Sequence, residues 1–376
     1  VKLSGQQITA FDKICGWIKN GDEKRFVLAG YAGAGKTTLA RHIADVVGHD
    51  STIFCAYTGK AANVLREKGC RKTSTIHGAI YKLEGDEEDC PYCKGSGCPK
   101  CGMEGVFRGQ PQFCLNEESD IRKAKLVIVD EYSMLPTDIR EDLESFGTKI
   151  LYLGDPFQLP PINGKCDLDP DFFIEEIHRQ ALESAIIRYA TDVRQGKQIP
   201  FCAHPEFVHA PKSDVPSEVY DQADQIIVGY NKTRLAWNNR FREKLGFEGL
   251  YPKKGDKIIC TKNNREEGLF NGMIGIAEKD AEESDDEEIL LSFEGKINLQ
   301  TWDGNFRGVE GMPPRHCAKL NRFDYAYAIT CHKSQGSEFD HVLVYSQPIG
   351  ADKTERARWL YTAITRGRSK VTLVKP

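Results

Sequence analysis

Short apolar runs set off by polar and glycine-rich stretches give the chain its frame. Phe26-Val27-Leu28-Ala29, Thr52-Ile53-Phe54-Cys55-Ala56, Leu126-Val127-Ile128-Val129 and Ile150-Leu151-Tyr152-Leu153 are continuous rather than alternating. Such runs predict strands buried on both faces, as in a parallel sheet. Elsewhere the period is helical: Ile8, Phe11, Ile14, Cys15 and Ile18 recur on one face, and Thr38–Ala44 suits a helix after the first strand. From about residue 180 the pattern repeats. A helix is predicted over 181–194, a strand at Gln225–Gly229, a basic helix around Arg234–Arg242, strands at 342–345 and 371–374, and a helix over Arg356–Thr365. The chain therefore reads as two α/β units in succession.

Two stretches break the alternation. Residues 79–121 are rich in glycine, cysteine, proline and charge, and poor in apolar periodicity, which predicts an inserted module. A small β-rich insert starts at Lys257-Ile258-Ile259-Cys260 and fills 261–318, with a hairpin-like Phe270-Asn271-Gly272 and an acidic run, Glu282–Glu288, read as a solvated loop.

Composition narrows the class without changing the pattern. The 376 residues are 40% hydrophobic and 28% charged, ordinary for a globular protein, and no run is long enough to span a bilayer. No secretory leader is found, and a chain opening on Val1 is expected to lack a short N-terminal piece. A formal net charge of −4 excludes a uniformly basic coat but not a local basic stripe. Most of the 13 cysteines stand singly in apolar runs, as Cys15, Cys55 and Cys260 do, which points to reduced thiols and a cytoplasmic location.

Chemistry enters at Gly30-Tyr31-Ala32-Gly33-Ala34-Gly35-Lys36-Thr37, between the first strand and its helix. This is a P-loop: Gly30, Gly33 and Gly35 let successive amides turn toward phosphate oxygens, and the helix N-terminus adds its dipole. Lys36 would meet the outer phosphates, and Thr37 would ligate Mg²⁺. Asp130-Glu131, ending the Leu126–Val129 run, has the form of a Walker B site, with Asp130 behind the Mg²⁺ and Glu131 polarising the attacking water. Gln158 sits in a proline-stiffened loop, Gly154–Pro161, at the end of the next strand, where its amide can approach a γ-phosphate. Upstream, Gln7 has the paired donor and acceptor that an adenine edge requires, or is a solvated helix start. Thr58 and Lys60 open a helix after a strand and can hold a backbone phosphate, and Thr75 and His77 form another polar turn.

The order of these motifs resembles the superfamily 1 helicases, and within them the RecD/Dda-like superfamily 1B. The matching pieces are Gln7; Gly30–Thr37; Ala56–Ala62; Thr75–Gly78; Asp130–Ser133; Gly154–Pro161; His178-Arg179-Gln180; Thr330–Glu338; and Tyr361–Gly367. The resemblance implies two RecA-like P-loop domains with ATP between them. The first would be 1–78 with 122–178, the second 179–260 with 319–376, and the 261–318 insert would be SH3-like. It implies Arg179 and Arg366 as fingers onto the γ-phosphate, and Thr38, Gly336 and Glu338 beside the nucleotide. Single-stranded DNA would lie on Thr58, Lys60, Thr75, His77, His332 and Lys333. The implied activity is an ATP-dependent 5′-to-3′ DNA helicase acting on single strands and single–double-strand junctions, with no membrane partner. The ATP motifs suit an RNA helicase or translocase equally. An ATP-switched zinc-bearing nucleic-acid-binding protein is a rival class, disfavoured by the intact Glu131 and Arg366.

One cluster departs from the family pattern. Cys90-Pro91-Tyr92-Cys93 and Cys98-Pro99-Lys100-Cys101 make C-x₂-C-x₄-C-x₂-C, two knuckles suited to a tetrahedral Zn²⁺ site. An iron–sulfur cluster would use the same four thiolates, and Cys114 is a substitute ligand should the short gap keep one cysteine away. The module falls where the family inserts its strand-separating pin. With so few apolar residues, metal would supply its missing stability.

Overall fold

The computed structural model describes the chain apart from residues 1–2, 85–86, 90–91, 95, 97, 99–105, 109–111, 162–166, 177–183, 265, 285–286, 310, 312 and 315–316. The apolar runs lie side by side in a six-stranded sheet ordered 172–174, 25–30, 150–154, 126–130, 52–56, 73–75. Every pairing in it is parallel, which explains why its strands show no polar face. Helix Lys36–Val47 buries Leu39, Ala40, Ile43 and Ala44 against one side of this sheet. Tyr132, Ile139 and Leu143 cover the other.

Helix Gly5–Asn20 forms where the periodicity placed it, but turned by one position. Its buried stripe is Gln7, Ala10, Ile14 and Trp17, while Ile8 stays exposed. Burying Trp17, whose indole N–H donates to the Glu23 carbonyl at 2.9 Å, removes more apolar area than burying Ile8.

A second six-stranded sheet is ordered 202–203, 207–211, 367–375, 339–345, 225–228, 328–330. It is parallel except for its first edge pair. Helices Ala185–Arg194 and Lys353–Ile364 pack on one face through Ile186, Ala190, Trp359 and Ile364. The basic helix runs from Asn231 to Lys244, and its arginines turn inward. Arg234 pairs with Asp324 at 2.6 Å and Arg242 Nε with both Asp256 oxygens at 3.1 Å, so these cations brace the second unit.

The two interruptions are β structures. Residues 257–325 contribute a third six-stranded sheet, mostly antiparallel, around Ile258, Leu291, Phe293 and Phe323. Part of the acidic run is strand rather than loop: Glu282 and Glu283 pair antiparallel with Leu290 and Ile289. They form the sheet's edge, where exposed charge blocks further pairing. The Cys-rich stretch is an antiparallel ribbon, 81–84 against 112–115 and 87–89 against 106–108. In sequence, the four-cysteine segment falls between 87–89 and 106–108. Ile80 and Ile121, flanking the ribbon, are buried in the first unit's core.

Candidate active site and nucleic-acid interface

The sheet topology places the chemistry at one edge of the first unit. Strands 25–30 and 126–130 end close together, bringing the P-loop against Asp130 and Glu131. Gly35, in the left-handed region at φ 73°, turns the chain into helix Lys36–Val47, whose first amides carry no side-chain cap and suit phosphate. Thr37 Oγ1 donates to Asp130 Oδ2 at 3.2 Å, an oxygen pair suited to Mg²⁺. Lys36 Nζ is curled into its own loop, donating to the Gly30 carbonyl at 2.7 Å and the Tyr31 carbonyl at 3.0 Å. Burial raises the pKa of both acids. Lys36 opposes the rise at Asp130, and Arg366 opposes it at Glu131.

Arg366 arrives from the second unit. Its guanidinium is fixed by the carbonyls of Thr362 at 3.1 Å and Ser337 at 3.3 Å. A cleft of ≈ 470 Å³ between the units is lined by Gly33, Gly35, Lys36, Thr37, Thr38, Asp130, Glu131, Gln158, Gly336, Glu338 and Arg366. Gly336 makes the close approach possible, since a Cβ there would stand 2.9 Å from the Ala61 Cβ of the first unit. Gln158 is buried, its Oε1 without a partner among the described residues, a side chain placed to receive a ligand.

Sequence reasoning missed three further cations in the lining, Arg41, Lys68 and Arg368. Arg41 follows Thr37 by four residues on one helix face, and Arg368 follows Arg366 by two, so both had a positional signal. Lys68 had none. Gln7 is absent from the lining of the cleft: its Nε2 donates to the Ala34 carbonyl of the P-loop at 2.9 Å and its Oε1 accepts from the Ser4 amide at 2.9 Å. Arg179 lies outside the described residues.

Residues 2–210 match the AAA domain family, and residues 325–374 match the UvrD-like helicase C-terminal domain. The chain belongs to the AAA-domain family. It is 26% identical to the ATP-dependent RecD2 DNA helicase of Deinococcus radiodurans, over 98% of this chain and 48% of that protein. It is 24% identical to the conjugal transfer protein TraA of Rhizobium radiobacter, over 99% of this chain and 32% of that one. The chain thus spans about half or less of these curated relatives. Among solved structures it resembles a Pif1 helicase at forked double-stranded DNA, with TM-score 0.59, 20% identity and coverage of 99% and 92%. It also resembles Bacteroides Pif1 bound to single-stranded DNA, with TM-score 0.54, 19% identity and the same coverage. At that identity the likeness is one of fold.

The nucleic-acid candidates from the sequence fall in three places. Thr58 caps helix Gly59–Glu67 by accepting from the Ala61 amide at 3.2 Å, and Lys60 is largely covered beneath Phe339, its ring centroid 5.0 Å away. Burial pushes the Lys60 ammonium down to about 8, with Lys257 and Arg368 adding repulsion. Thr75 caps the next short helix through the Gly78 amide at 3.2 Å, and His77 lies 5.8 Å from Tyr57 and 5.6 Å from Tyr81, ring to ring. Phe113 continues this row at the root of the ribbon, 64% exposed. His332 is half-buried with its pKa lowered by burial, and Lys333 Nζ lies 3.8 Å from Asp324.

Among the described residues no group of three or more metal-ligating side chains comes together. Cys90 and Cys101 lie outside them, while Cys93 and Cys98 lie in the segment that closes the ribbon. Cys114 pairs opposite Lys82 at the ribbon's root, away from that segment. No described helix is long and apolar enough to cross a membrane.

Proposed function

We propose that the chain is an ATP-driven DNA helicase moving 5′-to-3′ along single-stranded DNA and opening duplex at a junction. The observation that carries this reading is the composite cleft, in which Lys36, Thr37, Asp130 and Glu131 of one unit face Arg366 of the other. In-line attack on a phosphoanhydride needs charge neutralised at the transferred group, and an arginine from the opposite unit supplies it only when the cleft closes. Mg²⁺ held by Thr37 and Asp130 would neutralise phosphate charge. Lys36 grips the outer phosphates, Glu131 orients the attacking water, Gln158 senses the γ-phosphate, and Arg366 and Arg179 couple hydrolysis to movement of the units.

Single-stranded DNA would cross both units over Thr58, Lys60, Thr75, His77, His332 and Lys333. The Tyr57, His77, Tyr81 and Phe113 row offers bases a stacking surface. The domain division follows: RecA-like cores at 1–78 with 122–178 and at 179–260 with 319–376, a pin in 79–121 and an SH3-like insert in 261–318. Zn²⁺ on Cys90, Cys93, Cys98 and Cys101 would stiffen the pin. The strand pairs that flank the knuckles support a metal-stiffened pin, because a two-stranded element is marginal alone. The test is multiple-turnover ATPase with oligo-dT or oligo-U. Strong stimulation by DNA alone supports the reading. Stimulation by RNA alone moves the substrate to RNA, and single turnover with either makes ATP a switch.

A further inference from the structure

We propose that a cavity lined by the second unit and by Phe157 of the first, beside the ATP cleft and sharing no lining residue with it, is an anion site that takes a phosphate group. The cavity measures ≈ 150 Å³, against ≈ 470 Å³ for the cleft, so it suits a compact group rather than a nucleoside. It lies between the end of helix Ala185–Arg194 and the start of helix Lys353–Ile364. Arg194, Lys353 and Arg358 line it over a floor of Phe157, Ala357 and Tyr361.

Three cations around one cavity repel one another, and an anion among them relieves that repulsion. None of the three is ion-paired among the described residues, because the nearby carboxylates are engaged elsewhere. Asp192 holds Lys197, Asp352 and Glu355 bond backbone amides around their own helix start, and Asp155, beneath the floor, takes the Tyr361 hydroxyl and the Phe157 amide. Arg194 Nη1 and Arg358 Nε are buried without a hydrogen-bond partner among the described residues. The Arg194 carbon stands 3.2 Å from the Tyr31 ring centroid. A guanidinium stacked by its face keeps its in-plane N–H donors at the edge, where they match a tetrahedral oxyanion. Lys353 and Thr354 open a 12-residue helix, whose N-terminal dipole adds to the field.

The occupant would join two helices that hold the P-loop, one through Arg194 on Tyr31 and the other through Tyr361, whose hydroxyl accepts from the Ala32 amide at 3.2 Å. Its phosphate comes either as free inorganic phosphate or as part of a second nucleotide. The inference stands apart from the helicase reading, and its test uses binding alone. With the ATP cleft saturated by Mg²⁺ and a non-hydrolysable ATP analogue, inorganic phosphate is titrated at constant ionic strength while thermal unfolding is followed. In parallel, calorimetry counts the nucleotides bound per chain. Free phosphate as ligand predicts a saturable rise in Tm with one nucleotide per chain, the apparent Kd for phosphate weakening about tenfold in both Arg358→Gln and the exposed Lys353→Gln. A nucleotide as ligand predicts a second bound nucleotide that both variants lose. No phosphate-dependent rise and one nucleotide, or binding unchanged in both variants, overturns the site.

Discussion

Tyr361 of the second unit donates its hydroxyl proton to Asp155 Oδ2 in the first, and both side chains are buried. Asp155 opens the loop that carries Gln158, and the same hydroxyl reaches the Ala32 amide of the P-loop. One phenol thus ties the Gly154–Pro161 loop, the P-loop and the helix leading to Arg366. Tyr361→Phe is expected to keep the ring in place and leave Asp155 short of a partner, costing about 1–3 kcal/mol of stability. DNA-stimulated turnover should fall more than nucleotide affinity. Thermal melts with steady-state ATPase measure both, and an unchanged Tm with unchanged stimulation would remove Tyr361 from the coupling.

The cleft chemistry separates binding from turnover. Lys36→Ala should lose most ATPase while keeping single-strand affinity, because the phosphate and DNA contacts are distinct. Glu131→Gln should bind ATP and hydrolyse it poorly. Arg366→Ala and Arg179→Ala should each slow hydrolysis by roughly 10³-fold or more with smaller effects on ATP affinity. Normal turnover in Glu131→Gln would reassign the water-orienting group.

Lys60 carries a pH signature. Its ammonium, held to about 8 by burial, begins to lose its proton near that value in the free chain. A DNA phosphate stabilises the charged form, so binding takes up a proton once the free lysine is neutral. Single-strand affinity should therefore fall between about pH 7 and about pH 9, and Lys60→Gln should flatten that slope. Fluorescence anisotropy at fixed salt reads it. An equal slope in the variant means that Lys60 does not meet the phosphate.

The cysteine segment should hold one Zn²⁺ per chain. Replacing Cys93 and Cys98 by serine should reduce duplex opening much more than DNA-stimulated ATPase, since the knuckles belong to the inserted module and not to the ATP motifs. Elemental analysis showing neither zinc nor iron would end the metal assignment. Equal losses of both activities in a folded variant would end the wedge role.

The buried parallel strands were legible because a strand covered on both faces has no polar positions, and Leu126–Asp130 announces both its burial and its acids. Lys36, Asp130 and Glu131 were legible as a glycine-rich loop and a strand ending in acids, Arg366 only through the family resemblance, and the structure gathers all four in one cleft. Side-chain direction was harder. Gln7 reads as a ligand contact, yet the capping box at Ser4 and the Ala34 carbonyl take both ends of its amide. Arg234 and Arg242 read as a basic face, yet Asp324 and Asp256, distant in sequence, draw them inward. Such partners are chosen by tertiary packing, and no local pattern reports them.

Strand displacement tests the central claim most directly. Duplexes with a 5′ tail, a 3′ tail or blunt ends are mixed with the chain and ATP, with Glu131→Gln as control. The account predicts ATP-dependent opening of the 5′-tailed duplex alone, lost in Glu131→Gln. Opening only from a 3′ tail, or equal release without ATP, would contradict it.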